Sequence, residues 1–419
     1  MKERTKKILL ILLFIAITFL IAFILYYLFF RPFIAPPPPA PPIAVVPPTG
    51  LPAVPPAINI PALPAVPIVP PGIRPEIPTV PVVPTVPGPT ISNTATGGIT
   101  SFNTLVDTQT ANPVLAANGR DLNYYDATTG FFYTITPDGQ KKLFSDQPFK
   151  NVSNSVWSPN RQKVILEYPD GSKQLYDFNQ KKSITLPSNW VDFVFSNDNK
   201  MIGFKNFRID PENRYIAIAN ANGGNYQELQ AIGDRQLDVH MTWSPNNKYI
   251  ALYRDSLDSG RSEIYPIGFN NENYNKLIVE GRDFRFLWTP TGNKLVYSVF
   301  NSLSNYNPNL WVANTSPDAL GTGRMSLDLS TWADKCAVAS ETIIYCAVPR
   351  TLEMGSGFRP DMADETPDDF YKIDLSTNRK ELIAQPLFPT TVNQIFVSSD
   401  NKILYWQEKT SGQIKKLNL

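Results

Sequence analysis

The stretch WSPNNKYIAL at 243–252 recurs along the last three quarters of the chain, and this recurrence limits the fold more than any other feature. Related text stands at 156 (VWSPNRQKVILEY), 194 (VFSNDNKMIGF), 287 (LWTPTGNKLVYSV) and 396 (FVSSDNKILYW). Weaker copies stand at 115 (LAANGRDLNYYD) and 338 (VASETIIYCAV). The anchors at 115, 157, 195, 243, 288, 338 and 397 are 42, 38, 48, 45, 50 and 59 residues apart. Each copy reads as an apolar anchor ending one strand, a polar turn, and an apolar run forming the next. A lone hairpin of this kind cannot close a core, but several in sequence can.

Spacings of about 40–50 residues suit propeller blades of four strands each. A blade packs on a neighbour at both faces, so its strands can be apolar on both sides, which accounts for runs such as Tyr249–Leu252. The fold class read from the sequence is an all-β propeller over residues 99–419, with seven blades favoured over six or eight. The last copy supplies about three strands, and ITSFNTLVDT at 99–108 is strand-like without a blade of its own. That segment is expected to fill the missing place and close the ring without leaving an open edge.

The W-S-P-N-x-K-x-I-A pattern resembles the repeats of TolB-type, WD40-like propellers and of the propeller domains found in prolyl oligopeptidase-like enzymes. With its N-terminal segments the chain also resembles membrane-anchored bacterial envelope proteins. The resemblance implies the fold and little about activity, since such rings host many functions. A helix and spacer stand where TolB proteins carry a further domain, so a role in the Tol system is not implied.

Residues 8–30, Ile8 to Phe30, carry no charge; as a helix they would span about 34 Å, enough for a hydrocarbon core of about 30 Å. Lys2, Arg4, Lys6 and Lys7 lie in the basic tail at 1–7, and only Arg31 follows closely, which predicts an uncleaved single-pass anchor with its N-terminus in the cytoplasm. The expected partner of this helix is the lipid bilayer. Residues 31–98 follow as a spacer: 23 prolines lie between 32 and 89, those at 75, 78, 81, 84 and 87 in steps of three. Three is the polyproline II repeat, and at about 3.1 Å per residue the stretch reaches at most roughly 180 Å. The propeller is therefore expected on the periplasmic or extracellular side.

Net charge is +1, which gives no field for nucleic acid, and none is expected as a partner. Two cysteines and one histidine are too few for an ordinary structural zinc site. His240 lies in a strand of the repeat, and no GxSxG elbow accompanies it. No catalytic, cofactor-binding or metal-binding residue is assigned. The insertion at 349–370 holds Met354, Phe358, Arg359, Asp361, Asp364, Glu365, Asp368 and Asp369, a candidate partner loop. Its acids lack the alternating spacing of a calcium loop, and a solvated acidic loop is the favoured reading over a cation site. Cys336 and Cys346 flank SET at 340–342; a turn there places them opposite each other on adjacent strands, and a disulfide is expected outside the cytoplasm. The function expected is a non-catalytic envelope binding or scaffold protein meeting a protein, peptide or glycan. The alternative is an envelope hydrolase or lyase acting in the propeller channel.

Overall fold

The computed structural model describes residues 17–21, 23, 91–270 and 272–419. The chain divides into two compact units, Met1–Val82 and Val83–Leu419. In the first, residues 17–21 and 23 are helical, with Ile17, Phe19, Leu20 and Ile21 exposed. The rest of the expected helix at 8–30, and the spacer up to residue 90, lie outside the described residues. Among the described residues no helix is long and apolar enough to cross a membrane.

The second unit is a propeller of seven sheets, antiparallel except for one added edge strand. Blade one begins with the inner strand Thr110–Leu115, and the inner strands of blades two to seven are Asn154–Trp157, Trp190–Phe195, Val239–Met241, Arg282–Trp288, Cys336–Val338 and Val392–Val397. Each blade then meanders outward in sequence order.

There is no single core. Seven apolar clusters occupy the seven interfaces between adjacent blades. Alternate residues of one strand serve opposite neighbours: Val164 and Leu166 face blade one while Ile165 faces blade three. Ile216 and Ile218 likewise face blade four, and Ala217 and Ala219 face blade two. Period-two geometry with both sides buried produces the continuous apolar runs.

The repeated turn follows the inner strand. In blades two, three, four and seven, the hydroxyls of Ser158, Ser196, Ser244 and Ser398 are buried. Each accepts the backbone N–H five residues on, from Lys163, Met201, Tyr249 and Ile403, at 2.9–3.0 Å. Each also donates to the Asn or Asp two residues on, at 2.6–2.9 Å. The fourth turn residue is left-handed: Arg161, Asn199, Asn247 and Asn401 have φ of 56–62°. Asn tolerates that region better than most residues. Blade one keeps the turn with Ala116 in place of serine and Gly119 at φ 66°, where a Cβ would meet Ser399 Oγ at 2.5 Å. Blade six has a shorter turn, Ala339 N–H bonding to the Ile343 carbonyl at 2.9 Å. These substitutions explain why the copies at 115 and 338 read weakly.

Adjacent turns are joined. Asn160 N–H bonds to Asn199 Oδ1 (2.9 Å), Asn197 N–H to Asn247 Oδ1 (3.3 Å), and Asn246 Nδ2 to the Gly292 carbonyl (3.2 Å). Thr291 N–H bonds to Glu341 Oε1 (2.6 Å), Ser399 N–H to the Gly119 carbonyl (2.8 Å), and Arg161 Nε to the Leu115 carbonyl (2.7 Å). One face of the ring, the turn face, is thereby laced together. Second-to-third-strand loops and blade-to-blade connections emerge on the opposite loop face.

Closure uses Asn103–Val106, which pairs antiparallel with Ile414–Asn418 and completes blade seven. Val106 joins Ile403, Tyr405 and Ile414 against Leu122 and Tyr124 of blade one. The segment expected at 99–108 is split, however. Ile99–Thr100 instead pairs parallel with Gln385–Pro386, a fifth strand on blade six. The chain before it bridges to blade seven through Thr94 and Asn418. Both outer edges are open to pairing, and Ser101–Phe102 is the step between them.

Deleting residues 97–107 is expected to lower the unfolding temperature by roughly 5 °C or more, taking a loss of about 2–3 kcal/mol at about 2 °C per kcal/mol. Calorimetry of the two proteins checks this; equal unfolding temperatures would rule out a structural role for the closure.

Candidate functional site

The loop-face mouth of the channel is the candidate site, and the inner strands shape it through bulges. Register shifts fall at Ala111/Val114, Val191/Val194, Arg282/Arg285 and Val392/Gln394. Three of the four hold a non-glycine residue at positive φ: Asn112 (46°), Asp192 (56°) and Asp283 (54°). A bulge turns a side chain out of its strand's alternation, and such positions gather at binding sites.

The charged groups at the mouth are mutually paired. Lys205 Nζ lies 2.6 Å from Asp192 and Arg254 2.9 Å from Asp238. Arg285 holds Asp283 at 2.9 Å and Asp334 at 2.8 Å. Burial pushes the Asp283 carboxyl above the ordinary carboxylate range, against the pull of Arg285. His240 stands edge-on to the stacked rings of Phe284 and Phe286, centroids 6.3 and 6.2 Å away. Burial, with Lys205 and Arg254 nearby, pushes its pKa below the ordinary histidine value. A cavity of about 420 Å³ brings His240, Arg254, Asp283 and Arg285 together with Leu237 and Phe358. A second, of about 510 Å³, continues past Asp192, Lys205 and His240 to Phe286. A third, of about 590 Å³ and more apolar, is lined by Trp288, Cys336, Ile395 and Phe396.

The insertion is the loop between Ile343–Pro349 and Asp368–Asp374. Arg350 closes its base, donating its N–H to the Pro367 carbonyl (2.9 Å) and pairing with Asp369 (2.8 Å). Its tip docks on blade five: Gly355 N–H bonds to the Asn305 carbonyl (3.0 Å) and Gly357 N–H to the Tyr306 carbonyl (2.8 Å). A Cβ on Gly357 would lie 2.4 Å from the Phe300 ring, so only glycine allows this approach. Phe358 packs on Phe300 and Tyr306 at 4.5 and 5.2 Å yet stays 53% exposed, and Met354 is 74% exposed.

The acids of the loop do not converge. Asp361 pairs with Arg359, Asp364 with Lys409, Asp368 with Lys335 and Asp369 with Arg350. Glu365 forms no ion pair among the described residues. The Asp368 pair is buried: Lys335 Nζ donates to both carboxylate oxygens (2.6 and 2.7 Å), and Val392 N–H donates to Oδ2 (2.7 Å). It ties the start of blade six, the foot of the insertion and the start of blade seven at one point. Cys336 and Cys346 are register partners with Cα atoms 4.0 Å apart and are joined by a disulfide facing blade five.

Sequence reasoning placed the insertion on the surface but missed Asp192, Asp283, Arg285 and Lys335. An Asn or Asp two or three positions into an inner strand was the available signal for the bulges. Lys335 and Asp368 stand 33 residues apart and carried none.

His240 is the only histidine, so its imidazole NMR resonance can be followed alone. Its midpoint is expected below the ordinary value of about 6.5, and the stability tied to its neutral form is present above that value and lost as pH falls through the lowered one. A midpoint at or above the ordinary value contradicts the burial described. Lys335→Met is expected to cost about 3–5 kcal/mol in denaturant unfolding by leaving Asp368 unpaired, and Lys335→Met/Asp368→Leu to recover most of it. Equal stability of Lys335→Met and the unmodified chain would show that the pair carries no weight.

No family model matches the sequence, and no curated protein matches it. Similar solved structures include a β-propeller domain. The Cps50 (Swd1) β-propeller domain of Myceliophteria thermophila aligns at TM-score 0.50 and 10% identity, over 76% of this chain and 99% of that one. An oligogalacturonate lyase in complex with manganese aligns at 0.48 and 11%, over 76% and 90%. TolB from Acinetobacter baumannii aligns at 0.41 and 14%, over 64% and 63%. At these identities the likeness is one of fold alone: residues 99–419 form an all-β, seven-bladed propeller.

Proposed function

We propose that this protein is a membrane-anchored, non-catalytic envelope binding protein whose loop face meets a protein, peptide or glycan. One observation carries the reading. The carboxylates that converge on the mouth are already engaged with cations, while apolar side chains around it stand in water. Asp192, Asp238, Asp283 and Asp334 each have a cation within 3 Å, which leaves none as a ready base, whereas Leu237, Met354 and Phe358 are 84%, 74% and 53% exposed. Exposed apolar groups on loops of a rigid ring are the usual material of a contact surface.

The anchor is proposed from Ile8–Phe30 and the basic tail, and the reach from the proline-rich spacer. The disulfide supports an oxidising compartment for the ring, since cytosolic thiols are kept reduced. A second reading, a hydrolase or lyase in the channel, draws on the meeting of His240 and Asp283 in one cavity. It is the weaker of the two because Arg285 holds Asp283.

Two measurements test this. Protease added to spheroplasts is expected to remove the propeller and leave a short anchored fragment; protection of the propeller would exclude the topology. Crosslinking in cells is expected to give adducts that fall about fivefold or more in Leu237→Ser/Phe358→Ser, whose stability should change little at exposed positions. Undiminished adducts would remove the loop face from the reading. Loss of biological function in a stable Asp283→Asn protein with adducts intact would favour the enzyme instead.

A further inference from the structure

We infer that the loop face receives a short partner segment in which apolar side chains alternate with lysine or arginine. This rests on the binding reading above and names its ligand class. The surface is contiguous. Leu237 and Phe358 line one cavity, Phe358 lies on Tyr306, and the Gly355–Asn305 hydrogen bond joins the Met354 turn to the turn bearing Leu303. Leu303 is 94% exposed, and Ile209, on a neighbouring blade-three loop of the same face, is 98% exposed. Large side chains this bare, on several loops of one face, are a surface that contact would cover.

Charge selects the occupant. Between residues 350 and 369 the insertion has two arginines, Arg350 and Arg359, against Glu353, Asp361, Asp364, Glu365, Asp368 and Asp369, a formal −4; Lys335 and Lys409 from outside the loop offset Asp368 and Asp364 and leave −2. Four of these acids are held in ion pairs, and Glu353 and Glu365 form none among the described residues. The groups around the cavity do not offset this, since Arg235, Arg254 and Arg285 face Asp238, Asp255, Asp283 and Asp334. A second copy docked face to face would set these acids against their own kind, and an anionic bilayer would be repelled likewise. A segment with apolar side chains for the tips and cationic ones for Glu353 and Glu365 meets both demands.

The test uses the purified full-length chain and a benzophenone-bearing peptide of about 12 residues alternating Leu and Lys, with crosslinks mapped by mass spectrometry. Crosslinks are expected at 236–240, 301–306 and 352–360. They should fall about fivefold in Leu237→Ser/Phe358→Ser and about threefold in Glu353→Gln/Glu365→Gln, and a peptide with Glu in place of Lys should give about fivefold fewer. Equal labelling by the Lys and Glu peptides would overturn the inference while leaving the binding reading to the cellular crosslinks. So would labelling of 236–240 and 352–360 by photoactivatable phosphatidylglycerol in vesicles that is lost on Leu237→Ser/Phe358→Ser, or self-association lost in that variant. Absence of labelling on the face together with undiminished cellular adducts would sink the inference and the reading alike.

Discussion

A blade of this ring has two apolar sides and can bury neither alone. Everything else in the propeller follows from that. Side chains alternate along each strand, so Ile165 and its neighbours Val164 and Leu166 belong to different cores. Each interface is shared, and stability passes round the ring as a chain of nearest-neighbour terms. Such a chain gains its last interface only when its ends meet, here by Val106 and its strand completing blade seven against blade one. The N-terminal strand lies last in space although it comes first in the propeller sequence.

Burial packs the blades, but directional bonds fix their registration on the turn face. The Ser-x-Asx turn satisfies three backbone N–H groups of a tight loop from within, leaving other backbone and amide groups free to reach the next blade. Asn199 shows the economy of the device: its left-handed backbone makes the turn in blade three while its side chain accepts from Asn160 in blade two. A face laced in this way has little freedom, and variable chemistry is left to the loops opposite.

The sequence revealed the parts of the fold that repeat. Apolar runs, turn residues and spacing are periodic, so seven imperfect copies reinforce one another even where Ala116 replaces a serine. The insertion was legible because it broke the period. The mouth of the channel was not, since it depends on contacts between blades. Asp283 reads as an ordinary strand acid until the bulge turns it and Arg285 bridges it to Asp334 of the next blade. The split of the 99–108 segment was likewise invisible, because a strand-forming stretch does not say which of two open edges it will take.

Blade six shows how the ring accommodates a long loop. Its turn is the short one, and among the described residues the junction from blade six to blade seven has no turn-to-turn hydrogen bond like the other six. Blade six also carries the insertion, a second departure from the repeat. Three attachments collect at this place and at no other blade among the described residues. The disulfide ties the inner strand to its neighbour, the Lys335–Asp368 pair with Val392 N–H ties blades six and seven on the loop face, and Ile99–Thr100 adds an outer strand continuous with blade seven's own. The registration lost on one face is supplied on the other and at the rim. Asp368 cannot be exchanged alone without loosening this place, because its carboxylate is buried and answers to Lys335 and to the Val392 N–H of the next blade at once.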